Sequence, residues 1–373
     1  MNKKNVFIVL TSLSIGGTEK RFVELWNYFQ EKSYINIKLV VSEQLFRILE
    51  DNKNVSFFRR ENENLIILKV NKYIDFFPLI LNLIKKVNKN TVFHYPLISN
   101  FPFLHNAFGH KFIISFTHND FNSAFGTGLV AFRRKVLFFL RTYGVWKLDV
   151  LNPEVFKFLE RFKIYKNKLF LTTPGSFVNL KIFSPSEHKE NWIVFLGRFI
   201  QNDGKNVMKF VKMLPKVDSI LKNKGFKDVK YYVLGYGELE KEVKKLVSKY
   251  SESGINVCCY FEKHPEKILR KSKVFLSLQK YSNYPSKSLL EALASGNLSV
   301  VTDVGETRRI AKEEFAEFVS INFTAEELAG AIEKILRLPY DKFNKKVEIA
   351  REFIKKEFNI DKQMNYYLNL YEI

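Results

Sequence analysis

The sequence lacks the residues that usually mark a metal, redox or hydrolase site. Its two cysteines, Cys258 and Cys259, are adjacent in an apolar segment, so they point to opposite faces of a strand and predict no disulfide framework. No Cys/His set has zinc spacing, and no Asp-x-Asp pair is present to hold Mg²⁺ or Mn²⁺ beside a diphosphate. Neither a Gly-x-x-x-x-Gly-Lys-Ser/Thr loop nor a Gly-x-Ser-x-Gly elbow occurs. The cysteine usage fits a reducing compartment.

Long apolar runs are also missing. No stretch of about 18 uninterrupted apolar residues exists, so we predict no membrane-spanning helix. The apolar run near the start covers about six residues, which is shorter than the roughly 7–15 residues of a secretion signal. We interpret this run as a first buried strand.

Negative charge is scarce relative to positive charge. The 373 residues carry a net charge of +21. Residues 1–175 contribute 26 Lys and Arg against 13 Asp and Glu, and the remainder contributes 34 against 26. This excess favours anionic partners such as phosphorylated substrates, lipid headgroups or nucleic acid, although a solvated lysine-rich surface is an equal alternative. The segment Val130–Arg141 places Arg133, Arg134 and Lys135 beside five apolar residues, which fits either an interfacial helix or a core helix with a basic end.

The chain is long enough for two domains, and it alternates short apolar runs with helical patterns in both halves. This alternation predicts an α/β protein with two Rossmann-like, doubly wound parallel sheets that face each other across a cleft. The linker is expected between Thr173 and Lys189. The predicted strands are 5–10, 36–42, 91–95, 111–116 and 169–173, then 192–196, 231–234, 256–261, 274–278 and 298–302.

The segment 282–296 is the most informative part of the sequence. It lies between two predicted strands, and it contains a helix that Ser286 can cap and Gly296 can end. Glu291 falls in the first turns of that helix, near the strand ends where ligands of open α/β sheets bind. A fixed glutamate there can accept two hydrogen bonds from a ribose diol, although a solvated glutamate on a capped surface helix fits equally well.

Two other strand ends in the second half carry residues suited to a diphosphate. Gly197 and Arg198 end one predicted strand, and Lys205 follows after a flexible Asn-Asp-Gly link. Two such cations can stabilise a leaving group that gains negative charge, although they also fit exposed loop charges. Gly235 and Gly237 flank a tyrosine at the next strand end, where a simple turn is the alternative.

The first half contains two weaker signals. Gly16 and Gly17 join a strand to a helix, which lets the backbone approach a phosphate but is also typical of a tight turn. His118 follows an apolar strand and is a candidate catalytic residue, although a lone histidine is more often structural. His94, at another strand end, is a weaker candidate.

Together these segments resemble the family 4 glycosyltransferases, which are retaining enzymes of the GT-B fold. The resemblance covers nearly the whole chain and is strongest over Asn283–Asp303 and the five residues that follow. It implies an N-terminal acceptor domain over residues 1–178 and a C-terminal nucleotide-sugar domain over 179–358. It also implies a final helix over 359–373 that crosses back to the first domain.

The resemblance also implies roles for individual residues. Arg198 and Lys205 would hold the donor diphosphate, Glu291 the ribose, and His118 would contact the donor sugar near the reacting bond. Gly16 and Gly17 would let the first domain close on the donor, and Gly235 and Gly237 would pass close to the nucleotide. The implied catalytic residues are His118, Arg198 and Lys205, and the implied donor-binding residues are Gly16, Gly17, Gly235, Gly237, Asn283, Ser286 and Glu291. No metal and no cofactor is implied, because the nucleotide sugar is a substrate.

The sequence departs from this family at one informative position. The family often has two glutamates eight positions apart, and here the first is Asn283, which can bond a hydroxyl but carries no charge. A catalytically inactive nucleotide-sugar-binding relative is therefore one alternative. A nucleic-acid-binding protein is a second, based on the charge of +21, although no recognition-helix or aromatic RNP-type motif is present.

The sequence therefore predicts a retaining, metal-independent hexosyltransferase that moves a sugar from a nucleotide diphosphate sugar to a glycan or lipid-linked acceptor. The predicted role is in cell-surface polysaccharide synthesis. The predicted location is cytoplasmic and peripheral, on the inner face of the cell membrane, with an anionic membrane surface as a partner and no nucleic acid.

Overall fold

The chain forms two compact units in the computed structural model, which describes residues 5–14, 16–32, 36–50, 58–97, 102–118, 121–201 and 204–373. Unit 1 comprises Met1–Gly175 together with Ile360–Ile373, and unit 2 comprises Ser176–Asn359. Among the described residues, every helix is too short or too polar to traverse a lipid bilayer.

Unit 1 contains, over its described residues, one parallel sheet with helices between successive strands. The strand order is β3-β2-β1-β4-β5-β6-β7, so the order reverses between the neighbouring strands β1 and β4. The strands are β1 (Val6–Val9), β2 (Ile37–Ser42), β3 (Leu65–Leu68), β4 (Val92–Tyr95), β5 (Lys111–Phe116), β6 (Lys147–Val150) and β7 (Leu169–Leu171). The helices are α1 (Gly17–Gln30), α2 (Glu43–Glu50), α3 (Phe76–Lys86), α4 (Pro102–Ala107), α5 (Phe121–Phe125), α6 (Gly128–Thr142), α7 (Pro153–Glu160) and, after unit 2, α14 (Ile360–Tyr371).

Unit 2 repeats this architecture with a six-stranded parallel sheet over its described residues. Its order is β10-β9-β8-β11-β12-β13, which again reverses between β8 and β11. The strands are β8 (Glu190–Arg198), β9 (Lys230–Tyr236), β10 (Val257–Tyr260), β11 (Ser272–Ser277), β12 (Leu298–Thr302) and β13 (Ala316–Val319). The helices are α8 (Val207–Asn223), α9 (Glu240–Glu252), α10 (Pro265–Leu269), α11 (Lys287–Ala294), α12 (Ala325–Leu336) and α13 (Tyr340–Glu357).

The amino-acid patterns explain these elements. β1 reads Val-Phe-Ile-Val and all four residues are buried, as expected for a parallel strand covered on both faces. α1 buries Phe22, Leu25, Trp26 and Phe29, which recur at helical spacing, against the same sheet. The predicted fold class, an α/β protein with two doubly wound parallel sheets, is confirmed.

The helix α14 is held on unit 1 by a buried network around the Asp149 carboxylate of β6. Asp149 accepts hydrogen bonds from Ser115 Oγ at 2.5 Å and from Thr172 Oγ1 at 2.6 Å. From α14, Tyr366 OH donates to the same carboxylate at 2.5 Å and Tyr367 OH at 3.3 Å. Because Asp149 is fully buried, these four hydroxyls satisfy an acceptor that would otherwise be costly inside the protein.

Candidate functional site

Of the two predicted diphosphate-binding cations, Arg198 ends β8 and Lys205 packs against the residue before it. Arg198 is the last residue of this strand and its side chain is exposed. A Cβ atom built on Gly197 would lie 2.8 Å from Lys205 Cδ and 3.0 Å from Lys205 Nζ. The ammonium group therefore lies against the backbone that immediately precedes Arg198. Asn202 and Asp203 of the predicted flexible link lie outside the described residues.

Gly235 brings β9 unusually close to this strand end. It pairs with Gly197 in the β8–β9 register. A Cβ built on Gly235 would lie 1.9 Å from the Gly197 carbonyl oxygen and 2.6 Å from Phe199 Cε1. A Cβ built on Gly237 would lie 2.6 Å from the Phe199 carbonyl oxygen. Both predicted glycines thus permit close approach of two backbones beside Arg198, which a residue with a side chain would prevent.

The segment between β11 and α11 is fastened to the Lys205 loop. The Lys280 backbone N–H donates to the Gly204 carbonyl oxygen at 2.6 Å. A few residues on, Ser282 Oγ accepts from the Glu306 backbone N–H at 3.3 Å, which joins this segment to the residues after β12. Asn283, which is half-buried, follows directly. The loops after three neighbouring strands, β8, β11 and β12, therefore meet at one edge of the sheet.

α11 carries the remaining predicted donor-binding residues. Glu291 is half-buried on its second turn. At its end, Gly296 adopts a positive φ of 79°, its N–H donates to the Leu293 carbonyl at 3.1 Å, and the Asn297 N–H donates to the Ala292 carbonyl at 3.0 Å. This is the Schellman ending that the sequence predicts at Gly296.

The predicted capping role of Ser286 is wrong. Ser286 occupies the N-cap position of α11, but its side chain accepts no capping hydrogen bond from the helix backbone. Its hydroxyl lies 3.4 Å from Ser288 Oγ instead. Ser286 is buried and follows the segment that carries Asn283. Its role in binding the donor stays a prediction.

An exposed aromatic pair lies beside this edge, and sequence reasoning missed it. Tyr236 ends β9 and Phe261 follows β10, the next strand in the sheet. Their ring centroids are 4.9 Å apart with an interplanar angle of 80°, and both side chains are exposed. An available signal was an aromatic residue near the end of each of two predicted strands, since Tyr236 lies two residues after strand 231–234 and Phe261 ends strand 256–261. Exposed aromatic faces at strand ends can stack a planar ring.

A separate pocket of about 310 Å³ lies next to the Lys205 loop, between the starts of α8 and α9. Its described lining includes Gln201, Gly204, Lys209, Lys280 and Tyr281. The predicted site residues are not among these described lining residues. The pocket therefore adjoins the strand-end site without forming its floor.

In unit 1, the predicted Gly16–Gly17 turn is held by a carboxylate that sequence reasoning missed. The Gly16 N–H donates to Glu19 Oε2 at 2.9 Å, and Ser12 Oγ donates to Glu19 Oε1. Glu19 is buried in the first turn of α1, where a carboxylate also interacts favourably with the helix dipole. The signal was a glutamate three residues after the glycine that starts the helix. No atom lies within 4 Å of a Cβ built on Gly17, so this turn has open space around it.

His118 lies next to this turn. Thr117, its neighbour, accepts a hydrogen bond from Thr18 Oγ1 of α1 at 3.3 Å. The His118 ring is partly exposed, and its centroid lies 5.4 Å from that of Phe116. Desolvation by the surrounding protein lowers the pKa of His118 below its usual value, which favours the neutral imidazole. The structure thus brings Gly16, Gly17 and His118 together within unit 1.

His94 is a core residue, so its assignment as a second candidate is wrong. It is fully buried in β4, with Nδ1 2.7 Å from Tyr371 OH and Nε2 2.7 Å from Ser115 Oγ. Burial lowers its pKa to about 3, which keeps the ring neutral. Both nitrogens therefore serve the network that holds α14.

Comparison with known proteins gives one family model that matches part of the chain. Residues 190–337, which include Arg198, Lys205, Gly235 and Glu291, match the family described as glycosyl transferases group 1. Comparison with curated protein sequences gave no match.

Several solved structures share the fold of the whole chain. A glycosyltransferase from Rickettsia africae has a TM-score of 0.73 at 18% identity, with 100% of this chain and 98% of that chain covered. Anabaena HepE in complex with UDP and glucose has a TM-score of 0.73 at 10% identity, with 99% of each chain covered. Sucrose-phosphate synthase from Thermosynechococcus elongatus has a TM-score of 0.74 at 14% identity, with 99% of this chain and 98% of that chain covered. Residues 190–337 therefore match the model of the glycosyl transferases group 1, and the two units of the chain have the fold of the solved GT-B glycosyltransferases.

Proposed function

We propose that this protein is a retaining glycosyltransferase that moves a sugar from a nucleotide diphosphate sugar to a glycan or lipid-linked acceptor. One observation carries the proposal. Within the region that matches the family, Lys205 lies against Gly197 at the carboxyl end of β8, directly before Arg198, and the segment leading to Glu291 is bonded to the same loop. This edge lies where the strand order reverses, which is the usual ligand position in doubly wound sheets.

The proposed chemistry needs a stabilised leaving group and the exclusion of water. The bond between the sugar C1 and the diphosphate oxygen breaks, and a bond between C1 and the acceptor oxygen forms on the same face of the sugar. The acceptor proton passes to the departing phosphate, so no side chain is required as a base. Arg198 and Lys205 offset the charge that develops on the diphosphate, in place of a metal ion. Asn283 supplies a neutral hydrogen-bonding group where the family often has a glutamate.

The nucleoside is proposed to extend from Glu291 and the β8 edge toward β9 and β10. The similar fold of HepE was solved with UDP and glucose, which supports a uridine nucleotide as the first donor to test. In that arrangement the exposed face of Phe261 stacks on the base, with Tyr236 packed behind it. Base stacking on an aromatic side chain contributes about 1–3 kcal/mol.

Phe261→Ala is therefore expected to raise the Kd for UDP about tenfold, because the base loses its stacking partner while the diphosphate contacts remain. Isothermal titration calorimetry measures this change. Tyr340→Ala, which removes another exposed aromatic ring of unit 2 at the start of α13, serves as the matched control. Equal affinities in the two variants would show that Phe261 does not contact the base.

His118→Ala is expected to lower kcat about tenfold while the donor Kd changes little. The proposed reason is that His118 acts at the reacting sugar, where contacts made in the transition state affect turnover more than binding. Steady-state kinetics and calorimetric donor binding measure the two effects, and His188→Ala, at an exposed histidine of unit 2, is the control. Unchanged turnover together with a Tm lowered by several degrees would make His118 a structural residue.

The proposed setting is the cytoplasmic side of the cell membrane, in cell-surface polysaccharide synthesis. The excess of positive charge in residues 1–175 would attract anionic membrane surfaces or anionic acceptors to the protein. As a peripheral enzyme on the inner face of that membrane, the protein would bind a lipid-linked acceptor there.

A screen of nucleotide sugars tests the function directly. A true donor raises the Tm of the protein by mass action. Its hydrolysis or transfer is then measured as the amount of nucleoside diphosphate released. We expect turnover to persist in excess EDTA. Binding without turnover would favour the inactive relative, and full loss in EDTA with rescue by Mn²⁺ would contradict metal independence. A salt-sensitive affinity for oligonucleotides without any nucleotide-sugar binding would favour the nucleic-acid alternative.

A further inference from the structure

The helix α6 of unit 1 exposes a broad apolar face. Leu129 is 78% exposed, Phe132 64% and Leu140 67%. Leu129, Val136 and Leu140 recur at spacings of seven and four, so they lie on one side of the helix. We call the exposed side chains on this side the α6 face, which consists of Leu129, Phe132, Val136, Leu137, Leu140 and Tyr143.

The opposite side of α6 is buried against the rest of unit 1. Ala131 and Phe138 are buried, and the ring centroid of Phe138 lies 5.2 Å from that of Phe116 in β5. The side of α6 that packs on the core is therefore the opposite one, and the α6 face is exposed in the folded unit. Contiguous exposed apolar surface of this kind usually marks an interaction site.

The charges carried by α6 itself are all positive, whereas Glu154 of α7 lines the adjoining groove. Arg133, Arg134, Lys135 and Arg141 all lie on the helix, and its sequence contains no carboxylate. Arg134 and Arg141 are seven residues apart and share one edge of the apolar face, while Lys135 lies toward the other edge, where its Nζ donates to Asn122 Oδ1 at 2.7 Å. The surface thus pairs apolar side chains with flanking cations, which is the pattern of helices that lie in a lipid interface.

An apolar groove runs beside the helix. It has a volume of about 430 Å³ and lies between α5, α6 and α7. Phe121, Phe132, Val136, Phe139, Val155 and Phe158 line it, and Lys135, Asn122 and Glu154 complete its lining. A groove with mostly apolar walls and a cation among its lining residues matches an acyl chain attached to an anionic headgroup.

We propose that the α6 face docks on an anionic lipid bilayer, with the groove taking one acyl chain and the flanking cations contacting phosphate headgroups. Charge complementarity decides between occupants. In a two-fold dimer of this chain, Arg133 and Arg134 of one copy would face like charges of the other, which opposes association. This docking goes beyond glycosyl transfer, because it does not depend on which sugar or acceptor the enzyme uses.

Co-sedimentation with vesicles tests the proposal. The probes are vesicles of phosphatidylglycerol and phosphatidylcholine in a 1:1 ratio and vesicles of phosphatidylcholine alone, with the full chain and no donor. Arg133→Glu with Arg134→Glu is compared with Lys85→Glu with Lys86→Glu, which makes the same charge change at exposed lysines of α3. Leu140→Ser is compared with Ile74→Ser, at an isoleucine that is 71% exposed elsewhere in unit 1.

We expect the arginine pair to lower the partition coefficient on anionic vesicles at least tenfold, and Leu140→Ser several-fold, while both controls stay within twofold of the unchanged protein. Turnover of a soluble acceptor should be equal in all variants, so failure of docking and failure of glycosyl transfer are distinguishable. Equal weak binding to both vesicle types at low salt would overturn the proposal. So would a concentration-dependent dimer that Leu140→Ser abolishes, because the face would then join two copies.

Discussion

Replacing Gly235 by alanine is expected to lower the free energy of unfolding by about 3 kcal/mol or more and to abolish donor binding. The new methyl group would lie 1.9 Å from the Gly197 carbonyl oxygen, a distance that only a shift of backbone can relieve. That shift would separate β8 from β9 where Arg198 begins the site. For a unit of this size the cost corresponds to a fall in Tm of about 6–12 °C.

Thermal and urea unfolding measure this change. Gly330→Ala is the matched control, since this glycine lies in α12 and, apart from its own helix, no atom of the described residues lies within 4 Å of the added methyl group. There alanine should raise stability by up to ~1 kcal/mol, because glycine loses more conformational freedom on entering a helix. A Gly235→Ala protein with the stability of the unchanged protein would mean that β8 and β9 do not approach this closely in solution.

Arg198→Ala is expected to lower turnover by about 100-fold, or ~2.7 kcal/mol, in a protein of unchanged stability. The Arg198 side chain is exposed at the end of β8, so its truncation opens no cavity in the core. Its proposed role is to offset charge on the departing diphosphate, which affects the transition state more than the bound donor.

Steady-state kinetics and calorimetric titration with the nucleoside diphosphate measure the effect of Arg198→Ala. Lys227→Ala is the matched control, because it removes one exposed cation just before β9 begins, at the other end of the strands. Kinetics equal to those of Lys227→Ala would remove Arg198 from the site. If Arg198→Ala lowers turnover and Arg198→Lys restores it only partly, the geometry of the guanidinium group contributes in addition to its charge.

The fold class was predictable because most strands are short apolar runs between helical patterns. The sequence analysis missed three strands, β3, β6 and β13. β6 reads Lys-Leu-Asp-Val, so its pattern does not look buried, yet Asp149 is fully enclosed because hydroxyls from β5, the residue after β7 and α14 satisfy it. β13 is an edge strand that reads Ala-Glu-Phe-Val, so a charge interrupts its apolar pattern, whereas β3 reads Leu-Ile-Ile-Leu, an apolar run that the sequence analysis overlooked.

The candidate site was predictable where a residue type and a strand end coincide, as at Arg198 and Gly235. It was not predictable where the deciding partner is distant in sequence. In the sequence His94 has a strand-end position like that of His118, and its full burial with contacts to Ser115 and the distant Tyr371 shows that it is structural. Conversely, Tyr236 and Phe261 become a pair only because β9 and β10 are neighbours in the sheet.

The membership of α14 in unit 1 has a consequence for synthesis of the chain. All of Ser176–Asn359 is translated after β7 and before α14, which takes roughly 10–40 s at usual elongation rates. During that interval the Asp149 carboxylate and His94 lack the hydroxyls of Tyr366 and Tyr371. The nascent unit 1 therefore cannot complete its polar core until α14 has been made, although most of unit 1 emerges from the ribosome before unit 2.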